Sequence, residues 1–392
     1  MINKIKELTE TIFDDVVSIR RHIHKNPELS FKEHETSAYI KSVLTSWEVP
    51  FTDNIADTGI VVLLKGKNPA LRIVALRADF DALPIVEEND IDYCSVNKGV
   101  MHACGHDAHT ASLLGVIKIL NSLKQEWEGS IKFIFQPAEE MLPGGAQQMI
   151  KEGVLEDPKV NIILGQHVFP DLEVGKVGFC LGKYMASTDE LHITITGKGG
   201  HAGLPEKYNN PLLAAAKLIT ELDASFQKIK DRTCVLAIGF IEGLGSTNVI
   251  PEQVRLKGTL RAMDEGFRVK AHEKMLTIAN TITQDYDLKI DFDIRKGYPC
   301  LINDVELTKK SIAFAKEYIG ADNVVALSIR MTAEDFSYYS HEVPSCFYRL
   351  GTANASKGIV YGLHTSRFNI DEQALKTGMG LMAYLTIKNL RD

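Results

Sequence analysis

Apolar and polar positions divide the chain into two patterns. Residues 60–64 and 73–76 are short unbroken apolar runs, as expected of strands buried on both faces. From 111 to 123, Leu113, Leu114, Ile117 and Leu120 recur at helical spacing, and apolar runs at 131–135 and 162–164 predict two more strands. Alternation of this kind over residues 1–183 predicts an α/β sheet covered by helices. Beyond residue 187 the order changes. Residues 191–196 alternate as a half-buried strand does, 211–222 reads as a helix, 235–241 and 254–260 as strands, 267–285 as a long helix and 288–294 as a strand. The order β-α-β-β-α-β is the ferredoxin-like signature. After it, strand and helix alternation resumes. The expected architecture is an α/β domain with a central, mostly parallel sheet, formed by residues 1–186 and 297–392, with an inserted α+β ferredoxin-like domain at 187–296.

The residues just past each strand of the larger domain carry the chemistry. The strand at 73–76 runs into Arg77-Ala78-Asp79-Phe80-Asp81, that at 131–135 into Gln136-Pro137-Ala138-Glu139-Glu140, and that at 162–164 into Gly165-Gln166-His167. Ligands of open α/β sheets sit outside the carboxyl ends of the strands, so these groups converge on one edge. Met101 to His109 adds one thiol, three imidazoles and a carboxylate. The spacing of Cys104 and His106 suits a transition metal such as zinc, although a thiol nucleophile is the other chemical reading of Cys104. His102 and His109 fit better as groups flanking the helix or supporting the site. Pro137 ends its strand, so in the loop one of Glu139 and Glu140 can bind metal while the other faces the attacking water as general base. A solvated acidic turn is the plainer alternative. His364 comes after the apolar run 359–361. His22, His24, His34, His192, His272 and His341 join no such constellation and are expected to be structural or surface residues.

The insert carries polar groups of its own. Gly197-Lys198-Gly199-Gly200-His201-Ala202-Gly203 is a glycine-rich turn presenting a His; it does not fit a phosphate loop. Asn248 lies in a turn-rich connection and Arg261 ends the strand at 254–260. A His, an amide and an Arg suit an anionic substrate and an oxyanion.

Composition narrows the options. A net charge of −7 argues against nucleic acid as the main partner, because phosphate binding needs a basic face. No apolar run approaches the ~20 residues of a membrane span, so no membrane partner is expected. The first residues lack an apolar signal region. The scattered Cys94, Cys104, Cys180, Cys234, Cys300 and Cys346 fit reduced thiols of a cytoplasmic protein.

Taken in order, the segments Leu76–Pro84, His102–Asp107, Gln136–Glu140, Gly165–His167, Gly199–Ala202, Ala333–Phe336 and Leu363–Thr365 resemble the motifs of the M20 metallopeptidase/amidohydrolase family, in the branch of N-acyl-amino-acid amidohydrolases (hippurate hydrolases, aminoacylases, auxin-conjugate hydrolases). The resemblance spans nearly the whole chain. It implies a metal-binding catalytic domain with a lid and dimerisation insert. It implies a divalent transition metal (zinc, manganese, cobalt or nickel), one or two per subunit, on Cys104, His106, Glu140, His167 and His364. It implies Glu139 as general base, His201 as oxyanion stabiliser reaching from the partner subunit, Asn248 and Arg261 as substrate contacts, and Asp81 as a support beside the metal. Cys104 stands where many relatives have a bridging carboxylate. The implied reaction is hydrolysis of a small N-acyl-L-amino acid to a carboxylate and an amino acid by a homodimer or higher homo-oligomer. A dipeptidase or exopeptidase of the same family is the alternative, and a catalytically inactive metal- or small-molecule-binding relative a further one. Pro205-Glu206 and Asn209-Asn210 depart from the family pattern after Gly-Gly-His, which leaves the lid contacts and substrate preference open.

Overall fold

A computed structural model describes residues 1–227 and 233–391. The chain divides into two compact units: residues 1–182, 302–328 and 335–392 form the first, and 183–301 with 329–334 the second.

The first unit is built on eight strands: β1 (Phe51–Ile55), β2 (Gly59–Lys65), β3 (Ile73–Asp79), β4 (Ser130–Gln136), β5 (Ile162–Glu173), β6 (Val177–Phe179), β7 (Val324–Ala326) and β8 (Ser345–Ala353). They form one sheet in the order β1-β2-β4-β3-β5-β8-β6-β7. The centre, from β4 through β3 and β5 to β8, is parallel. Antiparallel pairs flank it: β1 with β2, β2 with β4, and β8 with β6. Every residue of β3 and β4 is buried, so both sheet faces are covered, as unbroken apolar runs require. Helix α1 (Ile2–Lys25) buries Ile5, Thr9, Ile12, Val16, Ile19 and Ile23, spaced three or four residues apart on one stripe, with Arg20 and His24 buried at its side. Each buried Ile contributes roughly 1.5–3 kcal/mol. Helix α2 (His34–Ser46), helix α3 (His106–Ser122), helix α4 (Val305–Ile319) and helix α5 (Ala374–Arg391) belong to the same unit, with two short helices at Gly145–Lys151 and Ser337–Glu342. Among the described residues no helix is long and apolar enough to cross a membrane.

Three element boundaries differ from expectation; the first is β3, which runs on through Arg77 and Ala78 to Asp79 instead of stopping near residue 76. Helix α3 starts at His106, five residues before the apolar periodicity begins at Ala111. Its first turns are polar yet buried, because neighbouring strand ends supply partners for the side chains. Strand β5 does not stop near residue 164; it runs on to Glu173 and places His167 inside the strand. Pairing with β8 extends it, with Arg349 opposite His167 and Gly351 opposite Phe169.

In the second unit, strands Cys234–Glu242, Gln253–Ala262, Ser187–Thr196 and Lys289–Lys296 lie side by side in that order, all antiparallel. Helices Pro211–Phe226 and Glu265–Tyr286 bury Leu218, Leu222, Met275 and Ile282 with Leu191, Ile193, Ile195, Val254 and Leu256 of the strands. The Asn210 side chain accepts from Leu212 N, and Asp264 from Phe267 N, so both helices start on a side-chain cap. This is the ferredoxin-like order.

Candidate metal centre

Strand register assembles the centre. Asp79 lies opposite Gln136, and Arg77 opposite both Ile134 and Gly165, so the segments leaving β3 and β4 emerge beside His167. Gly105 takes a φ of 85° between Cys104 and His106, and a Cβ there would stand 2.5 Å from Val168 Cγ2. Only glycine allows both the turn and the close approach. Cys104 therefore sits just ahead of α3 and His106 on its first residue.

The resulting cluster is tight. Cys104 Sγ is 3.5 Å from His167 Nε2 and 3.4 Å from His364 Nε2. Glu140 Oε1 is 3.2 Å from His364 Nε2 and 3.9 Å from His106 Nε2. Ligand atoms of Cys104, His106 and His167 lie within 4.8 Å of one another, as do those of Cys104, Glu140 and His364, and those of His106, Glu139 and Glu140. Cys104, His106 and His167 are buried, whereas the His364 side chain is half-exposed, so the cluster opens to solvent on that side. His364 has a φ of 60°, a left-handed conformation uncommon for a residue with a Cβ and the kind of strain that concentrates at functional sites.

Hydrogen bonds set the tautomers. His106 Nδ1 donates to Asp81 Oδ1 at 3.0 Å, and His167 Nδ1 donates to the Val168 carbonyl at 2.7 Å. Each Nε2 is thereby left as an electron-pair donor aimed into the cluster. His109 is excluded: its Nδ1 donates to Asp79 Oδ1 at 2.6 Å and its Nε2 accepts from Val168 N at 2.9 Å. Asp81 also accepts from Glu140 N, so it supports two members at once.

The cluster fits a cation on two counts. Among the described residues, His106 Nε2 and Glu140 Oε1 are buried and without a hydrogen-bond partner, a costly state unless something else binds them. Negative charge also accumulates. Burial disfavours a charged His106, yet Asp79, Asp81 and Glu140 raise it to about 10. Burial, then Glu140 and Glu139, pushes the Cys104 thiol well above its usual range. A divalent cation relieves both effects, and thiolate, imidazole and carboxylate are a donor set for a transition metal.

A second layer lies behind the cluster. Burial opposes the Asp79 carboxylate, but Arg77, His106 and His109 hold it well below the usual carboxylate range. Arg77 binds Gln136 Oε1 at 2.8 Å, Asp79 Oδ2 at 2.5 Å and Asp335 Oδ1 at 2.6 Å. Asp335 accepts in turn from Gln136 Nε2 and Ala146 N, tying both ends of the loop that carries Glu139 and Glu140. Asp107, next to His106, accepts from Arg20 Nε at 2.7 Å and lies 2.9 Å from His24 Nδ1. Arg20 is visible in the sequence as a charge beside the apolar stripe of α1. Asp335 lies in one of the family-like segments, but the sequence gives it no role. His102 is buried with neither ring nitrogen partnered among the described residues, and burial lowers it to about 4.

The remaining expected residues lie in the second unit. His201 pairs with Val249, beside Asn248, whose carbonyl accepts from Ala202 N. Arg261 sits one residue from the end of its strand, opposite Thr188 and Val235. None of these three belongs to the ligand groups described above.

Comparison with known proteins agrees with this chemistry. The description "Peptidase family M20/M25/M40" matches residues 75–388. The chain is 38% identical to an N-acyl-L-amino acid amidohydrolase of Geobacillus stearothermophilus over 76% of its own length and 81% of that protein's. It is 35% identical to thermostable carboxypeptidase 2 of Saccharolobus solfataricus, covering 99% and 98% of the two chains. The crystal structure of the Bacillus subtilis YXEP protein, a dinuclear metal-binding peptidase of the M20 family, superposes with a TM-score of 0.84 at 32% identity, covering 97% of this chain and 99% of that one.

Proposed function

The chain belongs to peptidase family M20/M25/M40, and on that basis we propose that it hydrolyses the amide bond of N-acyl-L-amino acids. One observation carries the reading: a carboxylate with no place among the expected ligands, Glu139, stands within 4.8 Å of His106 and Glu140. A site that only binds metal needs no such spare base.

Cys104, His106, Glu140, His167 and His364 would hold the metal. A divalent cation there supplies Lewis-acid activation of water and of the scissile carbonyl. Cys104 is common to two of the ligand groups, which supports a pair of ions rather than one. Glu139 takes the proton of the attacking water and later hands it to the leaving nitrogen. His201 Nδ1 accepts from Gly203 N at 3.0 Å, so the ring proton sits on Nε2 and is the one His201 would offer to the oxyanion in the partner subunit's site. Asn248 Oδ1 accepts from Ser246, which leaves its amide hydrogens for a polar group of the substrate. Arg261 is held in a strand, and burial lowers its pKa against the weaker pull of Asp189 and Glu190. It is the anchor we assign to the substrate carboxylate. Arg261→Ala should raise KM by roughly ten- to a hundredfold, the value of a charged hydrogen bond, with kcat much less affected. Steady-state kinetics on an N-acyl amino acid measures both, and an unchanged KM would remove Arg261 from the substrate site.

The carboxypeptidase relative favours a second reading, cleavage of short peptides. A metal-supplied panel of N-acyl amino acids and dipeptides separates the two: higher kcat/KM on the acyl amino acids supports the first, higher kcat/KM on peptides the second.

A homodimer is also proposed. Strand Cys234–Glu242 ends its sheet with one edge unpaired among the described residues, and it carries exposed Val235, Phe240 and Ile241. Edges of this kind pair with another copy. Sedimentation should give a dimer, and Ile241→Asp a monomer; a wild-type monomer at micromolar concentration would refute the assignment.

A further inference from the structure

Residues 27–33, between α1 and α2, supply no metal ligand, yet they reach the loop that carries the base. Ser30 Oγ donates to Asp81 Oδ2 at 2.6 Å. Glu33 is fully buried. Its Oε1 accepts from Ala138 N at 2.9 Å and from Phe31 N at 3.0 Å, and its Oε2 accepts from Thr58 Oγ1 at 3.2 Å. Those three partners are all neutral. Burial first, and then the Asp81 charge, push it up to about 7. An acid kept under such conditions is costly unless its acceptors are needed.

The amide it holds is unusual. Ala138 directly precedes Glu139 and has a φ of 52°. For a residue with a Cβ, the left-handed region costs roughly 1–2 kcal/mol. The neighbouring anchors are separate: Glu140 N donates to Asp81 Oδ2 at 2.9 Å, and the Ala138 carbonyl accepts from Gly145 N at 3.0 Å. Asp81 thus fixes the backbone of the expected ligand Glu140, while Glu33 fixes the Pro137–Ala138 peptide, one residue ahead of the base. We infer that Glu33 is a positioning residue for Glu139, holding the Ala138 amide so that the base carboxylate faces the site. This rests on the reading of Glu139 as general base.

Nothing in this geometry needs a charge on Glu33. A Gln side chain keeps the oxygen that receives Ala138 N and Phe31 N, and its amide group can donate to the Thr58 hydroxyl. The test compares metal-loaded wild type, Glu33→Ala, Glu33→Gln, Glu33→Ala/Ala138→Gly and Glu139→Gln. It reads kcat, KM, metal content and thermal unfolding. Glu33→Ala should lower kcat on the order of ten- to a hundredfold, the scale of a base displaced by about 1 Å. KM should stay within about twofold and the metal content should be that of wild type, because Asp81 still holds Glu140. Glu33→Gln should recover most of the loss. The double variant should recover part of it, since glycine enters the left-handed region freely. If Glu33→Ala does not fold, Glu33→Asp, which withdraws the acceptor by one methylene, takes its place.

A purely structural role would lower the unfolding temperature and leave kcat per metal-loaded site unchanged, which overturns the inference. So does a Glu33→Gln variant as slow as Glu33→Ala, or a joint loss of metal and turnover. Wild-type turnover in Glu139→Gln overturns the base reading itself. Full turnover in Glu33→Ala beside an inactive Glu139→Gln overturns only the positioning role.

Discussion

Glu139→Gln should retain its metal and lose turnover by about 10²- to 10⁴-fold, the usual contribution of a general base. The geometry separates the two neighbouring carboxylates. Glu140 Oε1 lies within 4 Å of His106 and His364 and is buried without a hydrogen bond among the described residues, as a ligand oxygen would be. Glu139 is instead approached by Asp335 N, 3.4 Å from its Oε1, and stays within reach of the cluster. Replacing it with Gln keeps shape and hydrogen bonding but removes the proton acceptor. Metal content by elemental analysis, together with kcat, measures the outcome. Loss of metal along with activity would make Glu139 a ligand, and near-normal kcat would make it a bystander.

Cys104→Ala should do the opposite and abolish stoichiometric metal binding, with activity falling as a consequence. Its Sγ is the atom shared by the His167 and His364 groups, so its loss takes a donor from both. Outer hydrogen-bond partners of metal ligands are each worth about 10–100-fold in affinity, and a shared ligand should cost at least the upper end of that range. The same variant tests the thiol-nucleophile alternative. If Cys104 attacked the amide itself, Cys104→Ala would lose activity while the remaining residues kept their metal. Burial and the adjacent Glu140 and Glu139 push the thiol up, which opposes a free thiolate nucleophile.

Part of the cluster was legible because Glu140, His167 and His364 follow apolar runs, whereas Cys104 and His106 stand ahead of one. Once residues 73–76, 131–135 and 162–164 read as parallel strands, their trailing polar residues had to meet at one sheet edge. What periodicity could not give was the extent of those elements. The polar start of α3 hid its first turn, and β5 continues past His167 because β8 pairs with it there. The supports were harder still. Asp79, Arg77 and Asp335 act through a network whose partners lie as far as 258 residues apart. Glu33 sits in a polar stretch with no period at all, and only the left-handed Ala138 explains what its carboxylate does. In the second unit the β-α-β-β-α-β order was plain, because long parts of its strands alternate, as from Glu190 to Thr196 and from Gln253 to Lys257.

The most direct measurement is a metal titration of chelator-stripped protein, read as turnover of an N-acyl-L-amino acid against bound metal per chain. Turnover should be absent without metal, rise with each ion bound, and saturate at two per chain. Full turnover in metal-free protein, or stoichiometric metal with no hydrolysis of any acyl amino acid or peptide, would contradict the account.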